Sequence, residues 1–131
     1  RWGRMKLIGH IERSLFSAIS KEIATDEVII TEERIAHIRF RHPNDYERFQ
    51  HYMEQTVSRP DYIIRDKRKN TAILLKAFEA EEETERVHLI LRLVTAEEQE
   101  GRKNSVITFW KVREKEYRRM IRNREVLYKR E

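Results

Sequence analysis

The chain has 131 residues, room for one domain around one core. It has no cysteine, which excludes disulfides, thiolate nucleophiles and Cys-type zinc sites, and no apolar run approaches the ~18 residues of a membrane span. Charged residues make up 39%, against ~25% in an average domain, and the net charge of +5 is uneven, with eight Lys/Arg against four Glu in residues 113–131. Such a local excess favours polyanions, nucleic acid first, and a solvated basic helix explains it as well. Three Gly and two Pro exclude a linker or low-complexity chain. The stretch MKLIGHIERSLF, broken by His10, Glu12 and Arg13, does not read as a signal peptide, so the expected setting is the cytoplasm.

In chain order, MKLIGHI (5–11) reads as a short strand or strand-like lead. Residues 11–20 place Ile11, Leu15, Ala18 and Ile19 at helical spacing. DEVIIT is a β-branched run ending at Thr31, and Thr31 reads as an N-cap, with Glu32 and Glu33 in the first helical turn. Ile35 and Ile38 mark the buried face of that helix, and Pro43 ends it. A second helix carries Tyr46, Phe49, Met53 and Val57 at spacings of three and four and stops before Pro60.

Strands follow: 61–66, 71–80, 85–95 and 105–112, with Gly101 at the last reversal. Residues 113–124 read as a basic helix and VLYKR as a short, aromatic-tipped end. The expectation is a single α+β domain over 1–131, with N-terminal helices packed on one face of a four-stranded antiparallel sheet. Two-residue alternation puts Val87, Leu89, Leu91 and Leu93 on a buried face and His88, Ile90, Arg92 and Val94 on the other. It sets Val106, Thr108 and Trp110 against Ser105, Ile107, Phe109 and Lys111. Lys76, expected on the mixed face with Arg92, is either paired with a carboxylate or lines an anion site.

The densest chemistry lies in HIRFRHP (37–43). His37 and His42 are about 140° apart on a helix, so they do not form a metal pair, and no metal or cofactor is expected. Arg34, His37 and Arg41 share a helix face, either as a solvated basic stripe or as an acid–base site. His42, at the corner between helices, either caps backbone groups or takes part in proton transfer. His10, His51 and His88 have no evident companion.

HIRFRHP after a Thr-capped turn, then SRPDYIIRD, KNTAILLK, SVITFWKV and a late LYKR, together resemble the barnase–EndoU–colicin–RelE-like nuclease superfamily, in its phage- and mobile-element-associated branch. The resemblance covers about residues 28–130. It implies a metal-independent ribonuclease that drives the RNA 2′-hydroxyl against its own phosphate, with the site on the sheet face away from the helices. The roles it implies are acid–base work by His37 and His42, phosphorane neutralisation by Lys76 and a phosphate hydrogen bond from Thr108. Tyr128 and Lys129 would close the site, Arg41 or Arg92 could stand in for Lys76 as the cation, and Arg118 and Arg122 of the basic helix would track the RNA backbone. RNA, tRNA among the candidates, and an immunity or antitoxin protein are the partners implied. The competing expectation is a catalytically silent domain of the same fold that binds RNA or protein, for instance as a phage accessory.

Overall fold

The structure is a computed structural model that describes residues 4–131. Its strands are β1 (Met5–His10), β2 (Glu27–Thr31), β3 (Tyr62–Arg65), β4 (Thr71–Glu79), β5 (Thr84–Arg92), β6 (Asn104–Val112) and β7 (Val126–Lys129). Its helices are α1 (Glu32–Arg41), α2 (Asp45–Phe49), α3 (Met53–Ser58) and α4 (Glu114–Asn123). The strands form one sheet in the order β1-β2-β6-β5-β4-β3-β7. The four expected strands are its centre, β6-β5-β4-β3, all antiparallel. The expected four-stranded sheet is therefore incomplete. The β1–β2 hairpin extends one side through a parallel β2–β6 contact, and β7 extends the other beside β3. The membership of β1, β2 and β7 rests on pairing with strands distant in sequence, which local patterning does not report.

The helices follow their local signals. Thr31 Oγ1 accepts the Arg34 N–H at 3.1 Å, satisfying one of the orphan donors of α1. Pro43 stops the helix, and Asn44 (φ +72°) takes the left-handed conformation that turns the corner into α2. The helix expected over 11–20 shrinks to one 3-10 turn, Arg13–Phe16, which drops Phe16 into the core.

Two cores sit on the two faces of the sheet. On one, α1–α3 cover Leu74, Val87, Leu89, Leu91, Val106 and Phe109 with Ile38, Phe49, Met53 and Val57. On the other, α4 lays Tyr117 and Met120 over Ile64, Ile73, Leu75 and Val112. The leucine face of β5 is buried under the helices, as its alternation requires.

Lys76 departs from its expected face. Its register partner is Val87, which points to the α1–α3 side, so Lys76 points there too. Its Nζ donates to the Arg59 carbonyl at the end of α3 (2.6 Å) and lies 3.3 Å from Asp61 Oδ1. Asp61 also accepts the Ala77 N–H (2.9 Å) and Arg130 Nε (2.7 Å). Burial raises the Asp61 carboxyl, but the Ala77 N–H, Arg130 and Lys76 outweigh it and hold it below the usual carboxylate range.

Strand β6 departs from simple alternation. Its pairing with β5 shifts between Ile90 and Leu91, so Val106 joins the helix-side core while Ser105 pairs with Arg92 on the other face. At its start Asn104 is fully buried. Its side chain accepts the Val94 N–H (2.8 Å) and donates to the Thr25 (2.8 Å) and Glu27 (2.9 Å) carbonyls, fastening β2 to β6. Asn104→Ala is expected to lower stability by about 2–3 kcal/mol in urea unfolding, because three backbone groups lose their partner.

Candidate active site on the open sheet face

The register arranges the face away from α1–α3 in three rows. The first is Trp110–His88–Leu75–Tyr62, the second Thr108–Ile90–Ile73–Ile64, and the third Ser105–Arg92–Thr71. Helix α4 packs on these rows through Tyr117 and Met120, against Ile64, Ile73, Leu75 and Val112, with Ile90 and Trp110 partly buried at the margin of the same cluster. The half formed by β5 and β6 carries Trp110, His88, Thr108, Ser105 and Arg92, the densest set of chemically capable side chains on this face.

His42 joins this set from outside the sheet. Strand β2 pairs with β6 only at Asn104 and Ser105, so β6 beyond Ser105 has no strand on that side. Helices α1 and α2 pack along that free edge. The corner between them brings the His42 ring onto Trp110, with centroids 4.7 Å apart and planes 21° apart. His88, directly across from Trp110 on β5, stacks on the same indole at 4.3 Å and 30°. Because β6 lies between β5 and the helix corner, Trp110 stands between the two imidazoles.

The two histidines differ in environment. His42 is half-buried and reaches solvent. His88 is 4% exposed, and its Nδ1 has no hydrogen-bond partner. Burial first, then the charges of Arg124 and His42, bring the His88 pKa down to about 4 against the opposing pull of Asp66. His88 is therefore neutral at pH 7, and Arg124, at the end of α4, is the cation that acts on it most.

Of the other residues singled out from the sequence, Thr108 lies in the second row, half-buried, opposite Ile90. Arg92 lies in the third row with its guanidinium on Glu98 (2.7 Å). Glu98 also accepts the Thr95 N–H (2.8 Å), so this pair anchors the loop before β6. His37 and Arg41 are exposed on α1, in the helix that delivers His42. Lys76 is on the opposite face. Tyr128 packs against the helix-side core from edge strand β7, and Lys129 beside it is exposed. Arg118 and Arg122 are exposed on α4, and Arg118 is paired with Glu114 at 2.7 Å. The structure thus gathers His42, Thr108 and Arg92 on one face and leaves His37, Lys76, Tyr128 and Lys129 elsewhere.

Trp110 and His88 are the members that sequence reasoning passed over. Their signal was present, since both sit on non-leucine faces of adjacent strong strands, but only the register shows that they are partners. Among the described residues no group of three or more His, Asp or Glu is placed to hold a metal ion, and no helix is long and apolar enough to cross a membrane.

A helix-backed sheet with histidines, a hydroxyl and a guanidinium on its far face carries the kinds of side chain that a nuclease-like domain uses. Comparison with protein families bears this out at the family level. The chain belongs to the phage-Barnase-EndoU-ColicinE5/D-RelE like nuclease 2 family, whose profile matches residues 6–129 and so takes in β1 as well as the later elements. Comparison with curated proteins and with solved structures gives no match.

The depressed pKa of His88 has a consequence for stability. Between its unfolded value near 6.5 and about 4, the unfolded chain binds a proton that the folded chain refuses. His88 therefore costs no stability above about pH 6.5 and a growing amount below it, reaching about 3 kcal/mol near pH 4. Urea unfolding across pH 4–8 is expected to show that decline, and His88→Phe, which keeps a ring against Trp110, is expected to flatten this part of it.

Proposed function

We propose that the chain is an endoribonuclease that cleaves RNA without a metal ion, by attack of a 2′-hydroxyl on the adjacent phosphate. The observation that carries this reading is the His42–Trp110–His88 stack on the open face of the sheet. His42, the imidazole in contact with solvent, takes the proton from the 2′-hydroxyl. The freed oxygen bonds to phosphorus, the bond to the 5′-oxygen breaks, and that oxygen takes up a proton from solvent. The products are a 2′,3′-cyclic phosphate and a 5′-hydroxyl.

The remaining roles follow from position. Trp110 offers an indole face that fixes the plane of the His42 ring. Neutral His88 backs that indole from the β5 side, as a positioning residue. Thr108 donates to a phosphate oxygen and Arg124 supplies positive charge for the phosphorane, while Arg92, two rows away and paired with Glu98, holds the loop before β6. Arg41 and the exposed arginines of α4 draw the RNA backbone toward the face. Lys76 has a structural role in this scheme, as a buried cation matched by Asp61 and the end of α3.

One observation favours a second reading. Arg92 already has its own carboxylate in Glu98, which leaves the open face short of uncommitted cations for phosphoryl chemistry, as in a domain that binds RNA without cutting it.

One experiment addresses both. The protein is incubated with total RNA in EDTA, and the products are analysed for 2′,3′-cyclic phosphate ends. Cleavage is expected, with His42→Ala slowing it by roughly a hundredfold or more at unchanged melting temperature. Lys76→Met is expected to lower the melting temperature while leaving the rate of the folded protein within about twofold, since it removes one partner of a buried pair. RNA binding with a steep salt dependence and no cleavage would select the silent domain.

A further inference from the structure

The third row of the open face does not stop at Ser105. In register, Ser105 continues to Ile29 on β2 and to Leu7 on β1. Met5 and Thr31 pair one step further along the same two strands and share that face. The opposite faces of β2, Val28 and Ile30, belong to the helix-side core. The β1–β2 hairpin therefore presents an apolar shelf to solvent. Met5 is 50% and Leu7 53% exposed, while Ile29 between β1 and β6 is 9% exposed, so the open part of the shelf is its β1 side.

The loop before β6 walls this shelf and makes a cavity of about 320 Å³. Its floor is Met5 and Ile29, with the hydroxyls of Thr31 and Ser105 at the side. Its wall is Gln99, Glu100 and Gly101. The loop is held at both ends, by the Arg92–Glu98 pair and by the contact of Lys103 with Glu27, while its tip at Gly101 (φ +86°) is exposed. An apolar floor with hydrogen-bonding groups at its edge is what an unpaired nucleobase requires. Ser105, at the side of the cavity, lies two rows from Trp110 along β6, about 13 Å from the ring on which His42 stacks, a span that one or two nucleotides cover.

We infer that the cavity between the β1–β2 shelf and the 99–103 loop is a nucleobase subsite, which holds an unpaired base flanking the scissile phosphate and sets the cleavage preference. The inference rests on the RNA-directed reading of the open face. The base lies on Met5 and Ile29 and shows its edge to Glu100 and Gln99. A carboxylate only accepts hydrogen bonds, and uracil offers it a single N3–H flanked by two carbonyl oxygens that repel it, so Glu100 favours bases with an exocyclic amine.

The chain has three methionines, and the other two, Met53 and Met120, are buried in the two cores. The full chain with ¹³C-methyl methionine is titrated by NMR with AMP, CMP, GMP, UMP and, as a control, ribose 5-phosphate. The Met5 methyl is expected to shift saturably with a preferred amine-bearing nucleotide, while Met53 and Met120 stay still. Affinity for UMP is expected to be roughly tenfold weaker, and Glu100→Gln to shrink that gap. Met5→Glu, at an exposed position that tolerates charge, is expected to abolish binding. In parallel, cleavage positions on a random-sequence RNA are mapped for the wild type and Glu100→Gln, and the base preference is expected to relax in the variant. An unmoved Met5 methyl, or an equal response to ribose 5-phosphate, overturns the subsite. So does an unchanged cleavage preference in Glu100→Gln. Nucleotide binding at Met5 in a chain that cuts no RNA would instead retain the subsite and overturn the ribonuclease reading, so the two failures are distinct.

Discussion

Strand β2 lies beside β6 at only two residues, Asn104 and Ser105, and the rest of the open face depends on that brevity. Had the parallel pairing run on, β6 would be an interior strand and the α1–α2 corner would have no edge to wrap. Because it stops, the edge beside residues 106–112 is capped by helices instead of by another strand, which also protects it from edge-to-edge association. The turn that does the capping carries His42 around to the far side of the sheet. Asn104 sits where pairing ends, and its buried amide supplies the hydrogen bonds that a longer ladder would have made.

The charges divide between scaffold and surface. The Lys76–Asp61 pair ties together the end of α3, the middle of β4 and Arg130 near the C-terminus, and its burial makes it sensitive to the loss of either partner. The arginines of α4 look like a uniform cationic stripe in the sequence, yet Arg118 and Arg119 have carboxylates of the same helix beside them. Such exposed pairs add little to stability, and they soften the field that the local composition suggests. Arg124, just past the end of the helix, has the clearest electrostatic hold on the open face.

Much of the fold was legible where local chemistry decides it. The Thr31 cap, the stop at Pro43, the four central strands and the buried leucine face of β5 all follow from side chains and near neighbours. The edge strands were not legible as sheet members, because joining a sheet is a long-range event that short strands do not advertise. Lys76 was assigned to the wrong face for a related reason. Alternation within β4 says which residues share a side, and only the pairing with Val87 says which side that is. The candidate site shows the same limit. His42 could be read as a corner residue and His88 as a solitary histidine, but the indole that joins them is supplied by a third strand distant in sequence.

The irregular pairing near Ile107 gives β6 an odd tolerance. Strict alternation would send Ser105 and Thr108 to opposite sides of the sheet, and the added residue brings them to the same one. Exchanging the half-buried Ile107 at the irregularity for another side chain leaves that arrangement in place. Losing a single residue would exchange wall for core along one end of the strand. In this stretch the count of residues carries more information than their identities, and homologous chains that share the trough should be recognised by a conserved length from Asn104 to Trp110 before any conserved letter.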